Sequence, residues 1–119
     1  MIKYIFIILF IPSIVFAEIE NARDLMEEGK FKEALEELLP AARSGNADAE
    51  ELIGIMYAMG LGVERDDVRA YTWYGLSAIG GDPDAAISQE EVIKKMTPEQ
   101  IEKAHILIND YKTWIYPFR

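Results

Sequence analysis

The run Ala49-Glu50-Glu51-Leu52-Ile53-Gly54-Ile55-Met56-Tyr57, then Gly60-Leu61-Gly62-Val63, then Asp66-Asp67-Val68-Arg69-Ala70-Tyr71-Thr72-Trp73-Tyr74, closing on Gly81, decides how the chain folds. Leu52, Ile53, Met56 and Tyr57 recur at helical spacing, as do Ala70, Trp73, Tyr74, Ser77 and Ala78. Two helices joined by a glycine-punctuated loop satisfy both patterns. Gly54, Ala70 and Ala78 are small where the helices would approach, and the aromatics supply bulk around them. In that register Trp73 and Tyr74 are core residues, and Tyr71 alone of the three aromatics is expected at the surface.

Sliding the chain against itself reveals a period of 36 residues, at which Ala34, Ala42, Gly45, Asp48 and Ala49 fall onto Ala70, Ala78, Gly81, Asp84 and Ala85. Repeated hairpins of this kind cannot bury an apolar face alone, so neighbours stack and each covers the next. The hairpin before the opening stretch has a helix over residues 20–28, a Gly29-Lys30 turn and a helix over 31–44 with Phe31, Ala34, Leu35, Leu38, Leu39 and Ala42 on its apolar side. Pro40 sits inside this second helix and is expected to bend it or end it near Leu39. Gly45-Asn46 suits a left-handed cap, Asp66 or Asp67 a helix start, and Gly80-Gly81 a helix end. A third, degenerate hairpin starts at Asp82 or Pro83. Its last helix opens on Thr97-Pro98-Glu99-Gln100, a reciprocal capping pattern. That helix carries Ile101, Ala104, Leu107, Ile108, Tyr111, Trp114 and Ile115 as an apolar stripe, is expected to cap the stack with a polar outer side, and is stopped by Pro117.

Residues 1–17 read as a secretory signal, with Lys3 as the positive start, an apolar run over 4–16 and a small residue, Ala17, at the cleavage point. The run contains Pro12 and Ser13 and is short of the roughly 20 residues that span a bilayer. Cleavage would leave a repeat domain over residues 18–119 in the periplasm or outside the cell, and an uncleaved signal would be the one membrane contact. The whole chain has a formal charge of −9. Without Lys3, 11 basic residues stand against 21 acidic ones, a formal charge of −10. Such a surface repels phosphate backbones and anionic headgroups, which excludes nucleic acid as a partner and leaves a basic protein surface as one that fits. The absence of cysteine rules out disulfides and a lipid-modified cysteine after the signal.

No constellation for chemistry emerges. Gly60-Leu61-Gly62 lacks a third glycine and follows a helix, so loop closure explains it better than a phosphate cradle. His105 is the only histidine and has no sequence-evident nucleophile or orienting partner. Glu64, Asp66 and Asp67 lack the spacing of a calcium loop. The pairs Glu27-Glu28, Glu36-Glu37, Glu50-Glu51 and Glu90-Glu91 point about 100° apart on a helix and are expected on solvated faces. No catalytic residue, cofactor or metal ligand is assigned.

The stretch over residues 47–82 resembles the Sel1-like repeat, a subclass of tetratricopeptide-like helical repeats. The residues that carry the resemblance are Ala49, Ile53-Gly54, Tyr57, Gly60-Leu61-Gly62-Val63, Asp66, Ala70, Trp73-Tyr74 and Gly81. The first hairpin is similar to an ordinary tetratricopeptide repeat through Ala22, Leu25, Gly29, Phe31, Ala34, Leu38 and Ala41, and residues 96–114 resemble the capping helices that end such chains. The resemblance implies an all-α fold, a short solenoid of stacked helical hairpins with a C-terminal capping helix. It also implies a non-enzymatic role as an adaptor or modulator that binds another protein or peptide. In this architecture the first helix of each hairpin lines the inner face, which implies Arg23, Met26, Asp48, Glu51, Ile55, Met59, Ile87 and Glu91 as partner-binding residues. Two rival readings are a structural protein that self-associates end to end and a small hydrolase with a cryptic site.

Overall fold

A computed structural model describes residues 2–115, with side chains described from Ile14 onward. Pro117 lies outside the described residues. Six helices follow one another: α1 Ile2–Glu27, α2 Phe31–Arg43, α3 Ala47–Met59, α4 Asp67–Ile79, α5 Pro83–Ile93 and α6 Pro98–Ile115. The chain is an all-α stack of helical hairpins. Helices α2 and α4 start 36 residues apart, and so do α3 and α5, which is the period seen in the sequence. Equivalent positions do equivalent work. Ala34 and Ala70 are both fully buried, as are Ala49 and Ala85, and Gly45 and Gly81 both take the positive φ, 89° and 106°, that ends a helix without a Cβ clash.

Side-chain caps start the last four helices, at Asp66, Asp82 and Thr97 where the sequence places them and at Asn46, which is expected with Gly45 to close the preceding hairpin. Asn46 Oδ1 accepts from the Ala49 amide at 3.0 Å, Asp66 Oδ1 from the Arg69 amide at 3.0 Å, and Asp82 Oδ1 from the Asp84 amide at 2.9 Å with Pro83 at the first position of α5. Thr97 Oγ1 accepts from the Gln100 amide at 3.2 Å while Gln100 Oε1 accepts from the Thr97 amide at 2.9 Å, closing the capping box of α6. Helix α2 continues through Pro40 to Arg43 because Ala41 and Ala42 beyond it are buried in the core. The helix expected over residues 20–28 is the C-terminal part of α1, which runs without interruption from Ile2. Among the described residues no helix is long and apolar enough to cross a membrane.

Two cores result. One joins Ile19 and Ala22 of α1 to Leu38 of α2 and to Leu52, Ile53 and Met56 of α3. The other joins Val68, Tyr71 and Tyr74 of α4 to Ala85, Val92 and Ala104 of the last two helices. Ile55 and Tyr57 pack against both and tie them together. Leu38, Ile53 and Met56 are fully buried, each stabilising the fold by about 1.5–3 kcal/mol. Helix α4 is the hub: α3, α5 and α6 all pack on it, and α5 and α6 lean on α4 more than on each other. A Cβ at Gly54 would come within 2.6 Å of Tyr74 Cδ1, so the glycine is a spacer between α3 and α4.

Three expectations change. Tyr71, expected at the surface, is only 8% exposed because α6 lies over it and its hydroxyl meets His105 Nε2 at 3.0 Å. Trp73, expected in the core, is half-buried and stacks on Tyr111 with ring centroids 6.2 Å apart. Glu50, expected on a solvated face, is fully buried in the first turn of α3, where the helix N-terminus favours a carboxylate.

Candidate functional site: an acidic cluster and a basic aromatic groove

The eight residues that the repeat register selects do not behave alike. Asp48 is exposed and Glu51 half-buried on α3, and the fold brings both to Asp82. Met59 and Ile87 are 67% and 61% exposed, large apolar side chains held in water. Met26 and Ile55 are half-buried and pack on the cores. Arg23 and Glu91 are exposed and form pairs within their own segments, Arg23 Nε 3.7 Å from Glu20 and Glu91 2.8 Å from Lys94 Nζ. Pairs of that kind are worth little.

The acidic cluster joins positions that are not equivalent in the 36-residue period, since Asp48 matches Asp84, Glu51 matches Ile87 and Asp82 matches Asn46. Helices α3 and α5 each begin with a carboxylate in the first turn, which suits the helix dipole, and stacking brings the two starts together. Asp48, Glu51 and Asp82 each offer a carboxylate oxygen within 4.8 Å of the others. Ser77 Oγ donates to the Ala47 carbonyl at 2.7 Å, which locks the end of α4 to the start of α3, and Asp82 Oδ2 lies 3.4 Å from the same hydroxyl. Partial burial, first, and then a hydrogen bond with Asp82 and repulsion from Asp82, Asp84 and Asp48 push the Glu51 carboxyl up to about 7. These three carboxylates are the residues that could hold a metal ion, a set the sequence does not display because its members are 34 positions apart. They equally suit a Lys or Arg side chain from a partner.

A second surface was not assigned from the sequence. Helices α2, α4 and α6 enclose a groove of about 940 Å³. Val68, Thr72 and Trp73 form its floor on α4. Leu39 and Arg43 of α2 stand on one side, and Lys103, Leu107, Tyr111 and Trp114 of α6 on the other. Arg69 reaches across its edge, donating to Tyr57 Oη at 3.3 Å, lying 5.6 Å over that ring, and pairing with Asp66 at 3.4 Å. The sequence signal is present: Leu107, Tyr111 and Trp114 belong to the apolar stripe of the last helix, and Lys103 shares their face. Trp114 is 84% exposed, and α6, expected to be a cap with a polar outer side, also exposes Ile106 and Tyr111.

Among the described residues, Tyr71 and His105 make the contact that resembles part of a catalytic arrangement. Burial pushes the Tyr71 phenol above its usual range, which disfavours the phenolate a base or nucleophile would need. Their hydrogen bond joins α4 to α6 and is structural.

No family model matches the chain. Over 78 residues, 66% of its length, it is 30% identical to the alginate biosynthesis protein AlgK of Azotobacter vinelandii. Its fold superposes with a TM-score of 0.75, over 85% of its length and at 27% identity, on the crystal structure of a protective antigen present in uropathogenic Escherichia coli strains, which displays an SLR fold. The chain spans 17% of the first of these proteins and 23% of the second. With the 36-residue spacing of its helices and the Gly60-Leu61-Gly62-Val63 turn between α3 and α4, these likenesses place the chain among the Sel1-like repeat proteins.

Proposed function

We propose that this chain is an exported protein-interaction module, an adaptor or modulator that grips a basic segment of an envelope or secreted partner with the start of α3 and α5. The observation that carries this is the acidic cluster of Asp48, Glu51 and Asp82 on the same two helices that hold Met59 and Ile87 in solvent. Large apolar side chains kept exposed on helices that also carry concentrated charge, Ile87 about one turn from Asp82 and Met59 at the far end of α3, mark surfaces that gain from being covered. Nothing among the described residues assembles a nucleophile, base and orienting group, and the module is read as non-enzymatic. Arg23, Met26, Ile55 and Glu91 complete the proposed inner face.

Export rests on residues 1–17. Ile14, Phe16 and Ala17 are exposed and the buried core side chains of α1, Ile19 and Ala22, lie beyond the proposed cut, so removal of the segment costs the first core only the half-buried Val15 among the residues with described side chains. The exported form should begin at Glu18, and a purified periplasmic or culture-fluid form still carrying residues 1–17 would contradict that step. For the interaction, Asp48→Lys with Glu51→Lys should abolish capture of a lysine-rich peptide carrying leucine, with helicity unchanged. Undiminished capture would overturn the assignment. The end-to-end self-association reading draws on Ile106, exposed on α6, and predicts sedimentation that grows with concentration and is lost in Ile106→Glu.

A further inference from the structure

The groove between α2, α4 and α6 is a different surface with the opposite charge. The chain as a whole is at −9, yet the groove is lined by three cations, Arg43, Arg69 and Lys103, against one carboxylate, Asp66. Asp66 is already committed, to the amide and the guanidinium of Arg69. Arg69 is in turn held over Tyr57. Among the described residues, Arg43 and Lys103 have no carboxylate at ion-pairing distance, although 21 acidic residues are available in the chain. Two exposed cations without internal partners, flanking a row of aromatic rings, are the local reverse of the molecule's overall charge.

The apolar lining narrows the occupant. Trp73 and Tyr111 stack at an interplanar angle of 25° and form a fixed wall, and Trp114 projects beyond them almost wholly in water. Leu39, Val68 and Leu107 add aliphatic surface. A carbohydrate would need neutral hydrogen-bonding groups to read its hydroxyls, and several that line the groove are already engaged: the Thr72 hydroxyl donates to the Val68 carbonyl at 2.7 Å, the Tyr57 hydroxyl accepts from Arg69 at 3.3 Å, and Gln100 Oε1 accepts from the Thr97 amide at 2.9 Å. A peptide needs what the groove has, an aromatic and aliphatic slot for one large side chain with cations at its edges for flanking carboxylates.

We propose that this groove binds an acidic peptide segment of a partner protein, with an aromatic or leucine side chain seated between Trp73, Tyr111 and Trp114 and flanking Asp or Glu carboxylates paired with Arg43 and Lys103. The surrounding protein is acidic, so the attraction acts over about a Debye length, roughly 8–10 Å, and only a short segment that enters the groove benefits from it. Arg69 is a positioning residue here, holding Tyr57 and the edge of the floor.

Fluorescence anisotropy with the purified full chain tests this, using a labelled ten-residue peptide of glutamates with one central tryptophan, a lysine counterpart of the same design, and an oligouronate as the carbohydrate probe. The glutamate peptide should bind, and Arg43→Glu with Lys103→Glu should weaken it about tenfold or more. Trp114→Ala should weaken it about tenfold while leaving its salt dependence intact, because that change removes only the apolar contact. Raising salt from about 50 to about 300 mM should weaken the parent complex. Arg43, Lys103 and Trp114 are exposed, so circular dichroism and the melting temperature should not move and serve as the check on folding. Absence of glutamate-peptide binding, or binding indifferent to the double charge reversal, would overturn the proposal. So would an oligouronate that binds the groove while the peptide does not. Concentration-dependent dimerisation abolished by the same double reversal would overturn it in favour of a second copy of the chain as occupant.

Discussion

The acidic cluster and the basic groove are built on neighbouring helices, and they treat charge in opposite ways. At the start of α3 and α5 the stacking brings like charges together, and Glu51 responds by holding its proton up to about 7. In the groove the cations stand apart, Arg69 neutralised by Asp66 and supported on Tyr57, Arg43 and Lys103 in solvent on separate helices. One surface therefore carries an electrostatic cost in the free protein that a cationic partner would relieve, and the other carries none. The difference teaches that stacking two helix starts can gather carboxylates from non-equivalent repeat positions into one site.

Both surfaces depend on the α3–α4 contact, and the largest expected effect comes from loosening it. Tyr74→Ala removes the ring that fills the space left by Gly54 and should cost about 3–5 kcal/mol in urea unfolding, with both probe peptides weakened together. A loss of under about 1 kcal/mol would mean that the two surfaces do not share a rigid frame. Gly54→Ala adds a methyl 2.6 Å from that ring. An overpacking cost of about 1–3 kcal/mol should outweigh a helix-propensity gain of up to about 1 kcal/mol, leaving a smaller net destabilisation in the same assay.

Smaller still, and confined to the acidic side, is the response of Glu51 to pH. A carboxyl whose folded pKa lies above its unfolded value disfavours the folded state once it must ionise. The penalty is absent below the unfolded value of 4.5, grows as pH rises through that window, and is complete above about 7. Glu51→Gln should therefore melt higher than the parent at pH 8, with the gap closing as pH falls toward 4.5. A gap that is flat or grows in acid would break the comparison. The least effect on stability belongs to the groove: Arg43→Glu with Lys103→Glu should leave unfolding within about 0.5 kcal/mol of the parent.

How much of this was legible in the sequence follows from what is local and what is not. The stack, its period and its caps were legible because Ala34 and Ala70, Gly45 and Gly81, or Thr97 and Gln100 declare their roles within one or two turns. Tyr71 was misplaced because its burial depends on α6, which begins 27 residues later and packs on α4 at an angle that no local pattern specifies. Glu50 and Glu51 read alike as a charged pair, and only the packing of α3 separates one that is fully buried from one that joins Asp82. The groove was hidden for a similar reason. Tyr111 and Trp114 have the spacing of a buried stripe, and they become a surface because α6 packs on α4 while α2 lies across a groove from it rather than against it.

The central claim is that one small repeat module carries two separable surfaces of opposite charge. It is tested most directly by measuring both peptides against both charge reversals on the same protein. Asp48→Lys with Glu51→Lys should abolish binding of the lysine peptide and spare the glutamate peptide, and Arg43→Glu with Lys103→Glu should do the reverse. Loss of both peptides from either pair of substitutions, in a protein that still melts as the parent does, would contradict it.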